Sequence, residues 1–512
     1  MPVTEQRQDE VQAPPRLKVV ANQQLIVVDA DDQDLPTISK LAWKALVAAN
    51  NPPTLFQFGE SICRIQRNST GILVLRRMNL QEFRHHLARA AQWYRKNGKT
   101  PRKVYPPDVV CQDMMAAPRF PLPVLNKIVE APVFAPDGTL VIEAGYHPGS
   151  RTYFDNASKL QLEPVPQHPT AADVKRARDL ILDDLFSDFP FVSASDRAHL
   201  VALMLLPFVR ELIDGPTPLH LINSPTPGSG KGLAATVALI PAIGRDITII
   251  PPATSGEETR KRLTAALSEG PSVILLDNYQ TMKDSAELAA ALTAPVWKDR
   301  ILGRTEMVAL PIRCAWVVTA NNPALSTEIA RRCVRIRLDP VVERPWQRDQ
   351  FKHADLATWA MTHRAELVWS AQVMVNEWLA SGRPAVKCKR LGSFENWSDV
   401  IGGILTAAGI PGFLENKDLL FEAADVEGGG FKLFVEEWWD EHKDSKVSVS
   451  QLISIAEDID AFELRGNSDH AKRVFLGREI GKQRDRVFGN LRIVSAGTYR
   501  RAVLWKLECV SV

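Results

Sequence analysis

Leu219–Ile222 is a short apolar run followed by Ser224-Pro225-Thr226-Pro227-Gly228-Ser229-Gly230-Lys231-Gly232 and then by a helical pattern from Leu233 to Ile240, stopped at Pro241. Strand, glycine loop and helix in that order leave few options. Glycines let backbone N–H groups turn inward around phosphate oxygens, the helix N-terminus adds partial positive charge, and a lysine reaches the terminal phosphates. The expected cradle is Pro227, Gly228, Ser229, Gly230, Lys231, Gly232 and Leu233. Two departures from G-x-x-x-x-G-K-[ST] stand out: Pro225 occupies the place of the first glycine, and Gly232 the place of a hydroxyl that would hold Mg2+. Without that hydroxyl the ion keeps an extra water, so nucleotide binding follows more directly than rapid hydrolysis.

Asp277 lies 46 residues beyond Lys231, at the end of the apolar run Val273-Ile274-Leu275-Leu276, which is the Walker B pattern. A carboxylate at the end of a parallel strand sits beside the phosphate loop and holds Mg2+ through water. Asn278 follows where a second acid is usual, and an amide cannot take a proton from an attacking water. Glu258, next to Glu257, is therefore the candidate general base, the alternative being that the pair caps the helix through Leu267. A third strand, Ala315–Ala320, ends in Asn321-Asn322, placing Asn321 to orient a water between Asp277 and the γ-phosphate. Arg331 and Arg332 follow at a helix end before the strand Val334–Leu338.

These residues, in this order and over about 115 positions from the strand at Leu219 to Cys333, resemble an AAA+ ATPase, and more closely the superfamily III helicase-like proteins of phages and integrating elements. The segments that carry the resemblance are Thr-Pro-Gly-Ser-Gly-Lys-Gly, Leu-Leu-Asp-Asn and Ala-Asn-Asn-Pro-Ala-Leu-Ser-Thr-Glu-Ile-Ala-Arg-Arg. The resemblance implies Lys231 as Walker A lysine, Asp277 as Walker B acid, Asn321 as sensor 1, and Arg332, or else Arg331, as an arginine finger acting on a neighbouring subunit's nucleotide. It therefore implies a homo-oligomeric ring, a hexamer, with ATP and Mg2+ bound. The other reading of the two arginines is a salt-bridged helix end. In such relatives a hairpin between the second and third strands projects into the ring pore. Here that stretch carries Trp297, Lys298, Arg300 and Arg304, suited to stacking and backbone contact with single-stranded DNA, or else a core tryptophan and a subunit contact.

Length and charge organise the rest. A chain of 512 residues implies about three or four domains. Lys and Arg number 62 against 60 Asp and Glu, and 45% of residues are hydrophobic, which excludes a long disordered chain. No run is long and apolar enough to span a membrane and the start lacks signal-peptide features, so a cytoplasmic protein without a membrane partner is expected. The six cysteines form no Cys-x-x-Cys pair, which argues against a zinc site or a disulfide framework.

The near-neutral total hides segregation. Residues 61–105 hold eleven basic side chains and one acid, Glu82, read as a hairpin (Ile62–Arg67, Ile72–Arg77) and a helix through Phe83, Leu87, Ala91 and Tyr94. A run like this is either a nucleic-acid surface or a solvated face. Another hairpin is expected around Pro136-Asp137-Gly138. Residues 415–444, with ten acids, three lysines and Trp438-Trp439 inside, read as a linker and packing segment. From 448 the order helix, helix, hairpin suggests a winged helix. Residues 471–508 hold ten basic and three acidic side chains, with Arg478, Lys482 and Arg486 at four-residue spacing and Arg500-Arg501 at the turn near Ala496-Gly497, a candidate duplex DNA surface.

The expected fold is thus α/β and multidomain, with a P-loop core containing a parallel sheet. Its parts are a tail (1–34), a basic α+β domain (35–165), a helical collar (166–215), the ATPase core (216–345), a helical lid and linker (346–445) and a winged-helix module (446–512). The expected activity is an ATP-dependent DNA helicase or translocase of a phage or mobile element acting in replication initiation. The runner-up is a nucleotide-gated oligomeric switch or loader that assembles on DNA without unwinding it. Primase activity in the first 160 residues has only Asp29, Asp31 and Asp32 as a candidate metal cluster.

Overall fold

The computed structural model describes residues 25–510 apart from 98–99, 246, 248, 254, 283–284, 301–306, 386–389, 425, 460–463, 465–467 and 500–501. It is a mixed α/β protein in two compact units, one built from the chain up to residue 57 with 61–65 and 77–123, the other from 58–60, 66–76 and the chain from 124 onward. No helix among the described residues is long and apolar enough to cross a membrane.

In the first unit Ile26–Asp29 pairs in parallel with Ala91–Asn97, which pairs antiparallel with Thr100–Lys103. Helices Leu35–Ala49, Leu80–Ala90 and Asp108–Met115 pack on a core of Val28, Ile38, Phe83, Leu87, Trp93 and Cys111. Two expectations are corrected here. The expected tail through residue 34 ends sooner, because Ile26–Asp29 is a strand. The helix expected to run through Tyr94 ends at Ala90, where Ala91 turns extended and Val28 pairs with Trp93; burial of Ala91 and Trp93 has the two-residue period of a strand. The basic run is partly an ion-paired face: Arg64 meets Glu82 at 3.0 Å, Arg84 meets Asp108 at 2.7 Å and Arg95 meets Asp31 at 2.7 Å. Asp31 is thereby committed to an arginine, and no group of three His, Cys, Asp or Glu side chains is placed for a metal among the described residues.

The second unit is built on a five-stranded parallel sheet in the order Ile249–Ile250, Val273–Met282, Ala315–Leu325, Leu219–Ser224, Cys333–Arg337. Its inner strands read as near-continuous apolar runs because both faces are covered. One covering layer is helical. Ala194–Val209, capped by Ser193, is buried on nearly all sides and shares one core with Arg364–Ala380, Glu395–Ala407 and the sheet. Collar and lid are therefore not separate from the core. Residues 124–165 belong here too, in place of the expected N-terminal domain: the Ser272 hydroxyl donates to the Ile128 carbonyl, and Gln372 to that of Pro132. The hairpin at Pro136-Asp137-Gly138 is present as Val133–Phe134 against Leu140–Val141.

His199 ties this layer together. Its Nδ1 donates to the Arg335 carbonyl at 2.7 Å, and its Nε2 accepts the Leu414 N–H at 3.2 Å, so the ring is neutral and of one tautomer. Burial pushes its pKa down to about 4, and burial pushes His220, in the neighbouring strand, to about 3. A depressed histidine pKa means the unfolded chain binds the proton first, so stability is full above pH 6.5 and falls as the pH drops toward 4. For His199 alone the loss is roughly 3 kcal/mol. Urea unfolding at pH 7 and pH 4.5 checks this; equal midpoints would contradict it.

The C-terminal module begins earlier than residue 446. Phe431, Phe434, Val435 and Trp438 of the helix Val426–His442 share a core with Leu452, Ile455, Leu476, Ile480, Ile493 and Leu507. The expected linker is thus this module's first helix: its apolar side chains recur at three- and four-residue spacing inside the acidic run. Helices Val449–Asp458 and Asp469–Lys482 follow, with a four-stranded sheet containing Leu491–Tyr499 and Ala502–Cys509. Ala496-Gly497 is not the hairpin's turn. It forms a register irregularity between Ser495 and Thr498, and the strands run on to Tyr499 and Ala502.

Candidate nucleotide site

The glycine loop joins Ser224 to the helix Lys231–Ile243. Gly228 and Gly230 take φ of +72° and +88°, which only glycine adopts without strain, and no side chain caps the helix. The first-turn N–H groups are therefore left to an outside acceptor. Ser229 is buried, Pro227 and Gly228 exposed, and Leu233 exposed. Around Gly232 a β-carbon would meet nothing within 4 Å, so no packing excludes the missing hydroxyl.

Lys231 is half-buried at the loop's closing turn. Its ammonium donates to Asn321 Oδ1 at 2.6 Å, to Ser229 Oγ at 3.2 Å and to the Thr226 carbonyl at 3.3 Å. Burial lowers its pKa and the Asp277 carboxylate opposes that. Loop lysine, acid and amide thus converge where three adjacent strands meet the glycine loop, but Asp277 and Asn321 lie within Val273–Met282 and Ala315–Leu325, which run on past them, and not at strand ends as expected.

Asp277 is aimed by a bulge. Leu276 pairs with Val318 and Tyr279 with Ala320, so Asp277 and Asn278 together oppose Thr319. Asn278 has φ +57°, a conformation that asparagine tolerates better than most residues, which gives this position a backbone reason for its amide. The Asn278 N–H donates to Thr319 Oγ1 at 2.9 Å, and the Thr319 hydroxyl donates to the Asp277 carboxylate. Thr319 is buried and escaped the sequence reading. Its signal was available: a hydroxyl inside the apolar strand, two residues before Asn321 and so on the same face.

Thr319→Val keeps the shape and removes both bonds. If Asp277 holds Mg2+ during nucleotide turnover, the change should raise the Mg2+ concentration for half-maximal turnover by about tenfold, as loss of an outer partner of a metal-binding carboxylate does. It also leaves the Asn278 N–H to water, because Asn278 is exposed, so the fold should lose little stability. A Mg2+ titration with a thermal melt reads both; an unchanged Mg2+ midpoint would remove Thr319 from the site.

Other expected residues fall elsewhere. The Glu258 side chain does not cap its helix: Ser255 caps Gly256–Leu267, accepting from the Glu258 N–H, and the Glu258 carboxylate meets Arg262 at 3.0 Å. Glu257 pairs with Lys261 at 2.8 Å, which lowers its pKa. Arg332 donates to the Glu328 carbonyl at 2.7 Å and meets the Glu328 carboxylate at 3.1 Å, while Arg331 is largely exposed. The Arg332 carbonyl accepts the Leu219 N–H, at the start of the strand whose far end enters the glycine loop. At about 3.3 Å per residue, Arg332 lies roughly 16 Å from its own chain's loop.

The hairpin between the second and third chemistry-bearing strands is Val296–Arg300 against Met307–Pro311. Trp297 points inward, its Nε1 donating to Thr264 Oγ1 at 2.8 Å, so the base-stacking expectation gives way to the core reading. Lys298 and Arg300 alternate with it and are exposed. Arg304, Arg500 and Arg501 lie outside the described residues. Arg478 and Lys482 are exposed on the last C-terminal helix. Arg486 falls past that helix's end at Lys482, stacked over Phe488 at 4.9 Å, so the basic helical face is shorter than its spacing implied.

No family model and no curated protein matches the chain. Among solved structures, the apo structure of the C-terminal region of NrS-1 aligns with 92% of this chain and 99% of its own, at 10% identity and a TM-score of 0.40. Inhibitor-bound JCV helicase aligns over 46% of this chain and 66% of its own, at 12% identity and a TM-score of 0.20.

Proposed function

We propose that the chain is an ATP-dependent, ring-forming DNA helicase or translocase of a phage or mobile element, acting in replication initiation. The observation that carries this reading is the convergence of Lys231, Asp277 and Asn321 beside an uncapped glycine loop. In this reading the loop amides and Lys231 bind the β- and γ-phosphates, and Lys231 leaves Asn321 for the phosphate when nucleotide enters. Asn321 is then free to orient the attacking water. Asp277, held by Thr319, is the residue that would hold Mg2+, which supplies charge neutralisation between the phosphates when bound. Arg332 acts on the neighbouring subunit's nucleotide. Lys298 and Arg300 face the strand in the pore, and Arg478 and Lys482 contact duplex phosphates.

The second reading, a nucleotide-gated switch that assembles on DNA without unwinding, is favoured by Gly232 and by the absence of a second acid at Asn278. Strand displacement from a forked duplex separates the two. ATP-dependent displacement supports the motor; ATP-dependent binding of the fork without displacement supports the switch.

A further inference from the structure

Trp346 is 62% exposed, in the short turn Pro345–Gln347 that follows the last strand of the sheet. A tryptophan left so open is an unusual use of the largest apolar side chain. Its position gives the reason. A β-carbon placed on Gly228 would lie 3.1 Å from Trp346 Cε3 and 3.2 Å from its Cβ, so the residue stands directly against the glycine loop. On Gly230 a β-carbon would meet Phe189 Cε1 at 3.6 Å, so a second aromatic ring flanks the same loop. Phe189 is backed by Phe186 and Phe191, with ring centroids at 6.3 Å and 6.1 Å.

The turn is anchored to the chain just before Phe189. Arg348 donates to the Asp188 carbonyl at 3.1 Å, the Lys352 N–H to the Asp188 carboxylate at 2.7 Å, and the Lys352 ammonium meets Asp184 at 2.6 Å. An exposed, flat, anchored apolar ring beside a phosphate cradle suits the one part of a nucleotide that phosphate contacts do not hold. We propose that the Trp346 indole is the shelf on which the base of the bound nucleotide stacks. This rests on the reading of the glycine loop as a nucleoside triphosphate site. Selection for a nucleotide over a bare polyphosphate then comes from Trp346, whereas Lys231 and the loop amides serve both.

The test is calorimetric binding of the non-hydrolysable ATP analogue adenylyl imidodiphosphate and of inorganic tripolyphosphate to wild type, Trp346→Ala and Trp346→Phe, each with a thermal melt. Base–aromatic stacking is worth enough that Trp346→Ala should weaken the nucleotide analogue roughly tenfold. Tripolyphosphate should bind wild type and Trp346→Ala alike, and Trp346→Phe should recover most of the loss. Wild type binding the analogue with Trp346→Ala unchanged would overturn the shelf and leave the nucleotide site standing. Tighter binding of both ligands by Trp346→Ala would make the ring a plug over the loop and overturn the shelf as well. Failure of wild type to bind either ligand would overturn the nucleotide site itself, and the shelf with it.

Discussion

Lys231→Ala is expected to lower ATP turnover by at least about a hundredfold, because one preorganised cation aimed at developing phosphate charge is worth two to three powers of ten. The fold should survive the change. Lys231 is half-buried, its partners are a loop carbonyl, a serine hydroxyl and Asn321, and none of the sheet's registers runs through it. Its loss removes the donor to Asn321 Oδ1, which water can replace at the mouth of the site. Steady-state phosphate release with a thermal melt separates the two effects. Near wild-type turnover would show that the glycine loop is not the catalytic site, whatever its geometry.

The second large effect is at Arg332. It sits at the opposite end of the loop strand from Lys231, so it cannot touch its own chain's phosphates, and its carboxylate partner, Glu328, is on the same helical turn. Burial lowers its pKa, and its Nε is buried with no hydrogen-bond partner among the described residues, so the guanidinium is incompletely paired within the protomer. If it acts across a subunit boundary, Arg332→Ala should reduce turnover by roughly a thousandfold and leave nucleotide affinity nearly unchanged. Mixing Arg332→Ala with Lys231→Ala chains should then restore part of the activity, because a mixed interface pairs an intact loop with an intact arginine. Two inactive parents giving an inactive mixture would return Arg332 to the role of a helix-end ion pair.

The core of this account was legible from order and residue type. A glycine loop between strand and helix, an acid closing one apolar run and an amide closing another are local patterns, and a parallel sheet brings such positions together. Less legible were the features that depend on pairing. The bulge at Asp277-Asn278 arises from register against the Ala315–Leu325 strand, and Thr319 becomes a partner of Asp277 only through it. Trp297 carries the same letter whether it stacks on a base or fills a core, and only its bond to Thr264 decides. Tyr94 fits a helical spacing as well as a strand, until Val28 pairs with Trp93. The acidic segment at 415–444 shows its packing role in Trp438-Trp439, but that its helix opens the C-terminal module emerges only from the core that Phe434 and Trp438 share with Leu452 and Ile480.

The central claim is that nucleotide turnover at this loop drives movement on DNA. Its most direct test is ATP hydrolysis by the 512-residue chain with and without single-stranded DNA, alongside sedimentation velocity in ATP. The account predicts a ring-sized species whose Lys231-dependent turnover rises several-fold on adding single-stranded DNA, by order of magnitude a coupling of about 1 kcal/mol. Nucleotide-driven assembly with no turnover, or turnover indifferent to DNA, would contradict it and leave a switch in place of a motor.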